Sequence, residues 1–138
     1  MSDNVLVIDD EESILKGIKL NLGRKFNLTL ANGPEQAQQL VRSEGPFAVV
    51  VSDMRMPIMD GASLMRKIKE EHPATLCILL TGHADFEFGG SQALQSGLLF
   101  KILNKPCSPE KLGNAIQAAF DQLSGKESED EAPPPNVI

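Results

Sequence analysis

"VLVIDDEES", residues 5–13, runs four apolar residues straight into Asp9, Asp10, Glu11 and Glu12. Like charges packed this closely repel, so the chain must either solvate these carboxylates or give them a cation. Which of the two applies depends on what the apolar run is. Similar runs recur at "AVVV" (48–51), "CILL" (77–80) and "LLF" (98–100) with "IL" (102–103). They are continuous rather than alternating, the pattern of strands buried on both faces of a parallel sheet. "NLTL" (27–30) reads as a further, weaker strand.

The intervening stretches carry helical spacing. Ile14, Ile18 and Leu22, joined by Leu15, make one stripe. Ala37, Leu40 and Val41, in a segment entered at Pro34, make a second, and Leu64, Met65 and Ile68 a third. The clearest is Leu112, Ala115, Ile116, Ala119, Phe120 and Leu123, opened by "SPE" (108–110). Ser108 there is an N-cap residue, Pro109 suits the first helical position and Glu110 suits the positive end of the helix dipole. A fourth helix of five is expected within "DFEFGGSQALQSG" (85–97), but Gly89 and Gly90 each cost about 1 kcal/mol relative to Ala in a helix interior. That element is expected to be short, late-starting or mobile. The order βαβαβαβαβα predicts a doubly wound α/β fold with five parallel strands and five helices.

The 138 residues suit one domain with one core, and 41% hydrophobic with 23% charged residues is ordinary for a soluble globular chain. A net charge of −6 argues against a general nucleic-acid binder. Half of it comes from Glu127, Glu129, Asp130 and Glu131 set against Lys126. Residues 1–123 therefore read as the domain, and the acidic, Pro-rich 124–138 as a disordered tail or linker. Cys77 and Cys107 form no metal or disulfide motif and read as small hydrophobes in a reducing compartment. The start of the chain lacks a signal-peptide pattern, and no run approaches the roughly 20 apolar residues of a membrane span. A cytoplasmic location is expected.

Ligands of open parallel sheets bind beyond the carboxyl ends of the strands, where the strand order reverses. Strand one ends in Asp9-Asp10, strand three in Asp53, strand four in Thr81 and strand five in Lys105-Pro106. Folding would bring three carboxylates, a hydroxyl and an ammonium to one rim. Asp9, Asp10 and Asp53 would suit a hard divalent cation, most plausibly Mg²⁺, which takes oxygen ligands and keeps several waters. Glu11 and Glu12 fall in the first turn of the next helix, where negative charge is favoured without a metal. Lys105 adds a second positive charge, which points to a further anion. A phosphoryl group on one carboxylate is such an anion, with Thr81 bonding one of its oxygens.

This set of residues resembles the receiver domain of bacterial two-component response regulators, from residue 3 to about 123. The family pattern is an acidic pair after strand one, a phosphoacceptor Asp after strand three, Thr or Ser after strand four, and Lys-Pro after strand five. "SDMRMPIMDG" (52–61) is similar to the family's loop after the phosphoacceptor, where Pro57 and Gly61 shape the turn into helix three. The resemblance implies a flavodoxin-like strand order 2-1-3-4-5 and Asp53 as phosphoacceptor. It further implies Mg²⁺ held by Asp10, Asp53 and the backbone carbonyl of Arg55, with Asp9 acting largely through water. Thr81, Gly82 and Lys105 would bind phosphate and switch, and Lys105–Pro106 would be a cis peptide. The implied donor is a histidine kinase or phosphotransfer protein. The switched face would be helix four, strand five and helix five, acting on an effector or a linked output domain, or pairing two copies. "LTGHAD" (80–85) and "NKPC" (104–107) resemble receivers attached to phosphodiesterase-type (HD-GYP) output domains.

One position departs from the family. Three residues before the Lys, many receivers carry an aromatic switch; here it is Ile102, with Phe100 expected on the same strand face by alternation. Three other readings fit these residues less well. A phosphatase of the haloacid-dehalogenase type needs D-x-D after strand one, whereas Asp9 is followed two residues on by Glu11. A flavodoxin-like cofactor carrier would need a phosphate-binding loop there, which "DDEES" would repel. A phosphorylation-independent interaction module would not need the complete acid, Thr and Lys set.

Overall fold

A computed structural model describes residues 3–82 and 97–125. Five strands, β1 (Asn4–Ile8), β2 (Asn27–Ala31), β3 (Val49–Asp53), β4 (Leu76–Thr81) and β5 (Lys101–Asn104), form one parallel sheet in the order β2-β1-β3-β4-β5. Helices α1 (Glu12–Leu22), α2 (Pro34–Glu44) and α3 (Gly61–Glu71) fill the first three crossovers, and α4 (Pro109–Ser124) follows β5. This is the expected doubly wound fold. Four helices occur among the described residues; the one expected within 85–97 lies, but for Gly97, outside them.

Alternate strand residues serve two cores. Val5, Val7, Val49, Val51, Ile78 and Leu80 pack beneath α1 and α4; Leu6, Ile8, Val50, Cys77 and Leu79 pack beneath α2 and α3. Burial on both faces is why these strands read as continuous apolar runs. The Cys77 thiol is among the buried groups, and burial pushes its pKa up to about 12, so it is an inert hydrophobe.

Local signals place the helices. Ser108 Oγ accepts from the Lys111 amide at 3.1 Å, Pro109 occupies the first turn of α4, and Gly125 ends the helix at φ 82°, where a side chain would be strained. The buried stripe of α4 is Leu112, Ala115, Ile116 and Ala119. Its outer partner Phe120 stacks on Phe26 with centroids 6.1 Å apart. In α1 the stripe is narrower than expected. Leu15 and Leu22 are buried, whereas Ile14 remains 39% exposed on a groove between α1 and α4. Glu12 opens α1, and Glu11 sits one residue before it as the N-cap.

Phe100 and Ile102 do not share a face. Ile102 pairs with Leu79 and packs on the α2–α3 side, while Phe100 packs on the α1–α4 side. The alternation fails because β5 begins only at Lys101, so Phe100 lies in the preceding bend and is free of the strand's two-residue period. Among the described residues no helix is long and apolar enough to cross a membrane.

Candidate functional site

β1 pairs with β2 on one side and β3 on the other, so the strand order reverses between β1 and β3. Asp9 and Asp53 stand at the carboxyl ends of these two strands. The Asp9 amide donates to Ala31 O at 3.1 Å, extending the β1–β2 ladder by one rung. Asp53 is the last residue of β3 and Thr81 the last of β4. Lys105 follows β5, its amide donating to Thr81 O at 2.9 Å. Four strand ends therefore meet on one rim, at the crevice where such sheets take ligands.

The loop after β3 is tied at both ends. The Met54 amide donates to Leu80 O and the Gly61 amide to Met54 O, each at 2.8 Å, while Asp60 Oδ1 caps α3 by accepting from the Ser63 amide at 2.7 Å. Gly61 is required by close approach. A Cβ there would collide with the Asp53 carbonyl oxygen and lie 2.9 Å from Leu79 Cδ1. Between the ties, Ile58 takes φ 76° and is 95% exposed.

Asp9, Asp10 and Asp53 each offer a carboxylate oxygen within 4.8 Å of the others. Asp9 and Asp53 are buried and Asp10 is exposed. Asp9 Oδ1 accepts from the Glu11 amide at 2.9 Å, but Asp9 Oδ2 is buried with no hydrogen-bond partner among the described residues. Burial raises the Asp9 pKa to about 6, against the bond from Glu11, and the charges of Asp53 and Asp10 add to the rise. Lys105 Nζ lies 2.7 Å from Asp53 Oδ1. Desolvation alone would lower the Lys105 pKa, but the bond and charge of Asp53, with Asp9 and Glu11, outweigh it and hold the pKa above its ordinary value. Thr81 is buried beside this group, its hydroxyl donating to Gly82 O at 3.0 Å.

The residues read from the strand ends thus converge: Asp9, Asp10, Asp53 and Lys105 in one cluster, with Thr81 and Gly82 at its edge. Arg55 lies exposed two residues after Asp53, and Lys105–Pro106 is cis, as the resemblance implies. Gly45–Pro46 is also cis and carried no such signal. Ile102 lies on β5 and Phe100 just before it. Asp60 as helix cap and the left-handed Ile58 escaped the sequence reading, though "MDGAS" (59–63) does place an Asp one residue before the helix. Three carboxylates, oxygen donors only, one of them with a buried oxygen that has no partner among the described residues, fit a hard divalent cation.

Carboxylates and a lysine converge at the switch point of a doubly wound parallel sheet. The family profile of the response regulator receiver domain matches residues 5–117, and the chain belongs to that family, whose members act in two-component systems as signalling modules rather than classical enzymes. The response regulator protein PilR of Pseudomonas aeruginosa is 33% identical over 134 residues, covering 96% of this chain and 29% of PilR. A crystal structure of adenylate cyclase from Rhodopirellula baltica superposes with a TM-score of 0.86 at 31% identity, covering 95% of this chain and 96% of that one. The signal receiver domain of an HD domain-containing protein from Pseudomonas fluorescens Pf-5 gives 0.81 at 29% identity, covering 91% and 99%. The chain spans a third or less of the length of the first curated relatives it matches.

Proposed function

We propose that this chain is a phosphoacceptor switch in a bacterial two-component relay. A histidine kinase or phosphotransfer protein presents a phosphohistidine, and an Asp53 carboxylate oxygen forms the new P–O bond as the P–N bond breaks. A proton reaches the leaving imidazole nitrogen. Asp10, Asp53 and the Arg55 backbone carbonyl, with Asp9 acting through water, would hold Mg²⁺, which supplies positive charge against the phosphoryl oxygens. Lys105 moves its ammonium from the carboxylate to a phosphoryl oxygen, and Thr81 exchanges the Gly82 carbonyl for another. Catalysis of this kind is positioning and charge neutralisation. Such exchanged contacts are the differential interaction a conformational switch needs.

The observation that carries the reading is the Lys105–Asp53 contact of 2.7 Å beside an unpartnered Asp9 oxygen. A complete acid, Thr and Lys set disfavours a phosphorylation-independent module. The switched face would comprise residues 83–96, β5 and α4, with Ile102 in the aromatic's place, and it would regulate an effector, a linked output domain or a second copy. Residues 1–123 would be the switch and 124–138 the linker. The likeness to the receiver of an HD domain-containing protein favours an output of that class. The test is beryllofluoride with Mg²⁺, followed by amide NMR. Shifts at Thr81, Gly82 and Lys105 that need both reagents and vanish in Asp53→Asn support the reading; shifts that persist in the variant contradict it.

A further inference from the structure

A groove of about 600 Å³ runs between α1 and α4, with Glu11, Ile14, Ile18 and Asn21 along its α1 wall and Lys105 at its mouth. These four positions step by three, four and three residues, which keeps them on one side of a helix. One further step of four reaches Lys25. The chain keeps its helical path to that point, since the Phe26 amide donates to Leu22 O at 3.1 Å. The wall is open: Glu11, Asn21 and Lys25 are exposed, and Ile14 is 39% exposed. A Cβ on Gly17, beside Ile18, would meet no atom within 4 Å.

Charge runs along this wall in one direction. Asp10, Glu11 and Glu12 are exposed acids at its start, and Arg24 and Lys25 are exposed cations at its end. Among the described residues neither of these cations makes an ion pair, and Lys105, near the acidic end, is taken up by Asp53. Glu11 lies seven residues before Ile18 and Lys25 seven after, about 10 Å each way. Turned end for end about Ile18, the wall therefore meets its own complement. Two copies laid antiparallel set acids against cations at both ends, and their helix dipoles oppose favourably. A parallel pairing would set acids on acids. At the middle, Gly17 lets the helices come close, and each Ile14 enters the other copy's groove. A pattern complementary to itself under a two-fold turn selects a second copy over a partner of other charge order.

We propose that this chain pairs with a second copy through an antiparallel α1–α1 contact about Ile18, with Glu11 of each copy against Lys25 of the other. The contact covers the groove side of Lys105. A protein phosphoryl donor arriving over α1 must therefore displace the second copy, while a small donor need not. That consequence rests on Asp53 being the acceptor; the pairing does not.

Sedimentation velocity of the whole chain without Mg²⁺, from about 10 μM to about 1 mM, tests the pairing. The expected result at low salt is a monomer–dimer equilibrium that weakens as salt rises. Glu11→Lys and Lys25→Glu alone should each raise the dissociation constant about tenfold, since each sets like charges together at both ends. Both changes in one chain reverse the charge order and should restore the parent's association to within about threefold. Both positions are exposed, so the fold tolerates the changes, and far-UV circular dichroism verifies that it does. A chain that stays monomeric throughout the range overturns the proposal. So does a dimer that both single variants leave intact, which assigns pairing to another face, or a double variant that associates no better than the single ones. No phosphoryl group or metal enters the measurement, so its failure is separable from failure of the acceptor reading.

Discussion

Lys105 reaches from the end of β5, past β4, to set its ammonium 2.7 Å from Asp53 at the end of β3. In the metal-free protein this charge offsets part of the repulsion among three acids. It also opposes entry of a second cation. Lys105→Met is therefore expected to bind Mg²⁺ several-fold more tightly while accepting a phosphoryl group more slowly. Calorimetric Mg²⁺ titration beside labelling rates checks this; weaker Mg²⁺ binding in the variant would show that the ammonium organises the acids rather than competing for them.

Asp9 predicts an unusual pH dependence for the Mg²⁺-free protein. Its folded pKa of about 6 exceeds the ordinary 3.8, so between these values the folded state holds the proton more firmly than the unfolded one. The contribution is thus fully present below pH 4 and lost as pH rises through 6. A shift of about two units corresponds to about 3 kcal/mol. Asp9→Asn should stabilise the Mg²⁺-free protein at pH 7 by roughly 1–3 kcal/mol and flatten its urea stability between pH 4 and 6 relative to the parent. Mg²⁺ affinity should fall below about pH 6 in the parent, since proton and metal compete for one carboxylate. Equal stability of the two proteins at pH 7 would contradict the burial argument.

Gly61 is expected to tolerate no side chain. Ala at this position would press on Leu79 Cδ1 and on the Asp53 carbonyl, a backbone group that cannot turn aside as a side-chain tip can. Overpacking of this kind costs about 1–3 kcal/mol. A lowered urea midpoint together with slower phosphoryl acceptance checks it, because the carbonyl that must yield belongs to the proposed acceptor.

Ile58 is strained at φ 76° and packs against little. Left-handed backbone costs a β-branched residue about 1–2 kcal/mol. Ile58→Asn should raise stability by about 1 kcal/mol, since Asn tolerates this region. A loss of stability on denaturant unfolding would mean that the side chain is held by contacts the loop geometry does not reveal.

What could be read from the chain was set by how local each signal is. The apolar runs of the first, third and fourth strands, the Ser108-Pro109 helix start and the α4 stripe are short-range patterns, and each stands where it was expected; "LLF" (98–100), read with the fifth strand, lies before β5. The rim of acids and lysine was legible because parallel topology sends every strand's carboxyl end to one edge. Phe100 was misassigned because the first residue of β5 depends on pairing with β4, where Phe100 N reaches Cys77 O ahead of the strand proper. Ile14 fits the helical period of α1 but borders an open groove, and Gly17 supplies no side chain to fill it. The left-handed Ile58 violates the residue preference a sequence argument relies on, so nothing local announced it.

The central claim is that Asp53 accepts a phosphoryl group within this acid and lysine cluster. Intact-mass spectrometry after incubation with acetyl phosphate and Mg²⁺ tests it most directly. The account predicts one added phosphoryl group per chain, lost when Mg²⁺ is chelated and lost in Asp53→Asn. Undiminished labelling of that variant would contradict it.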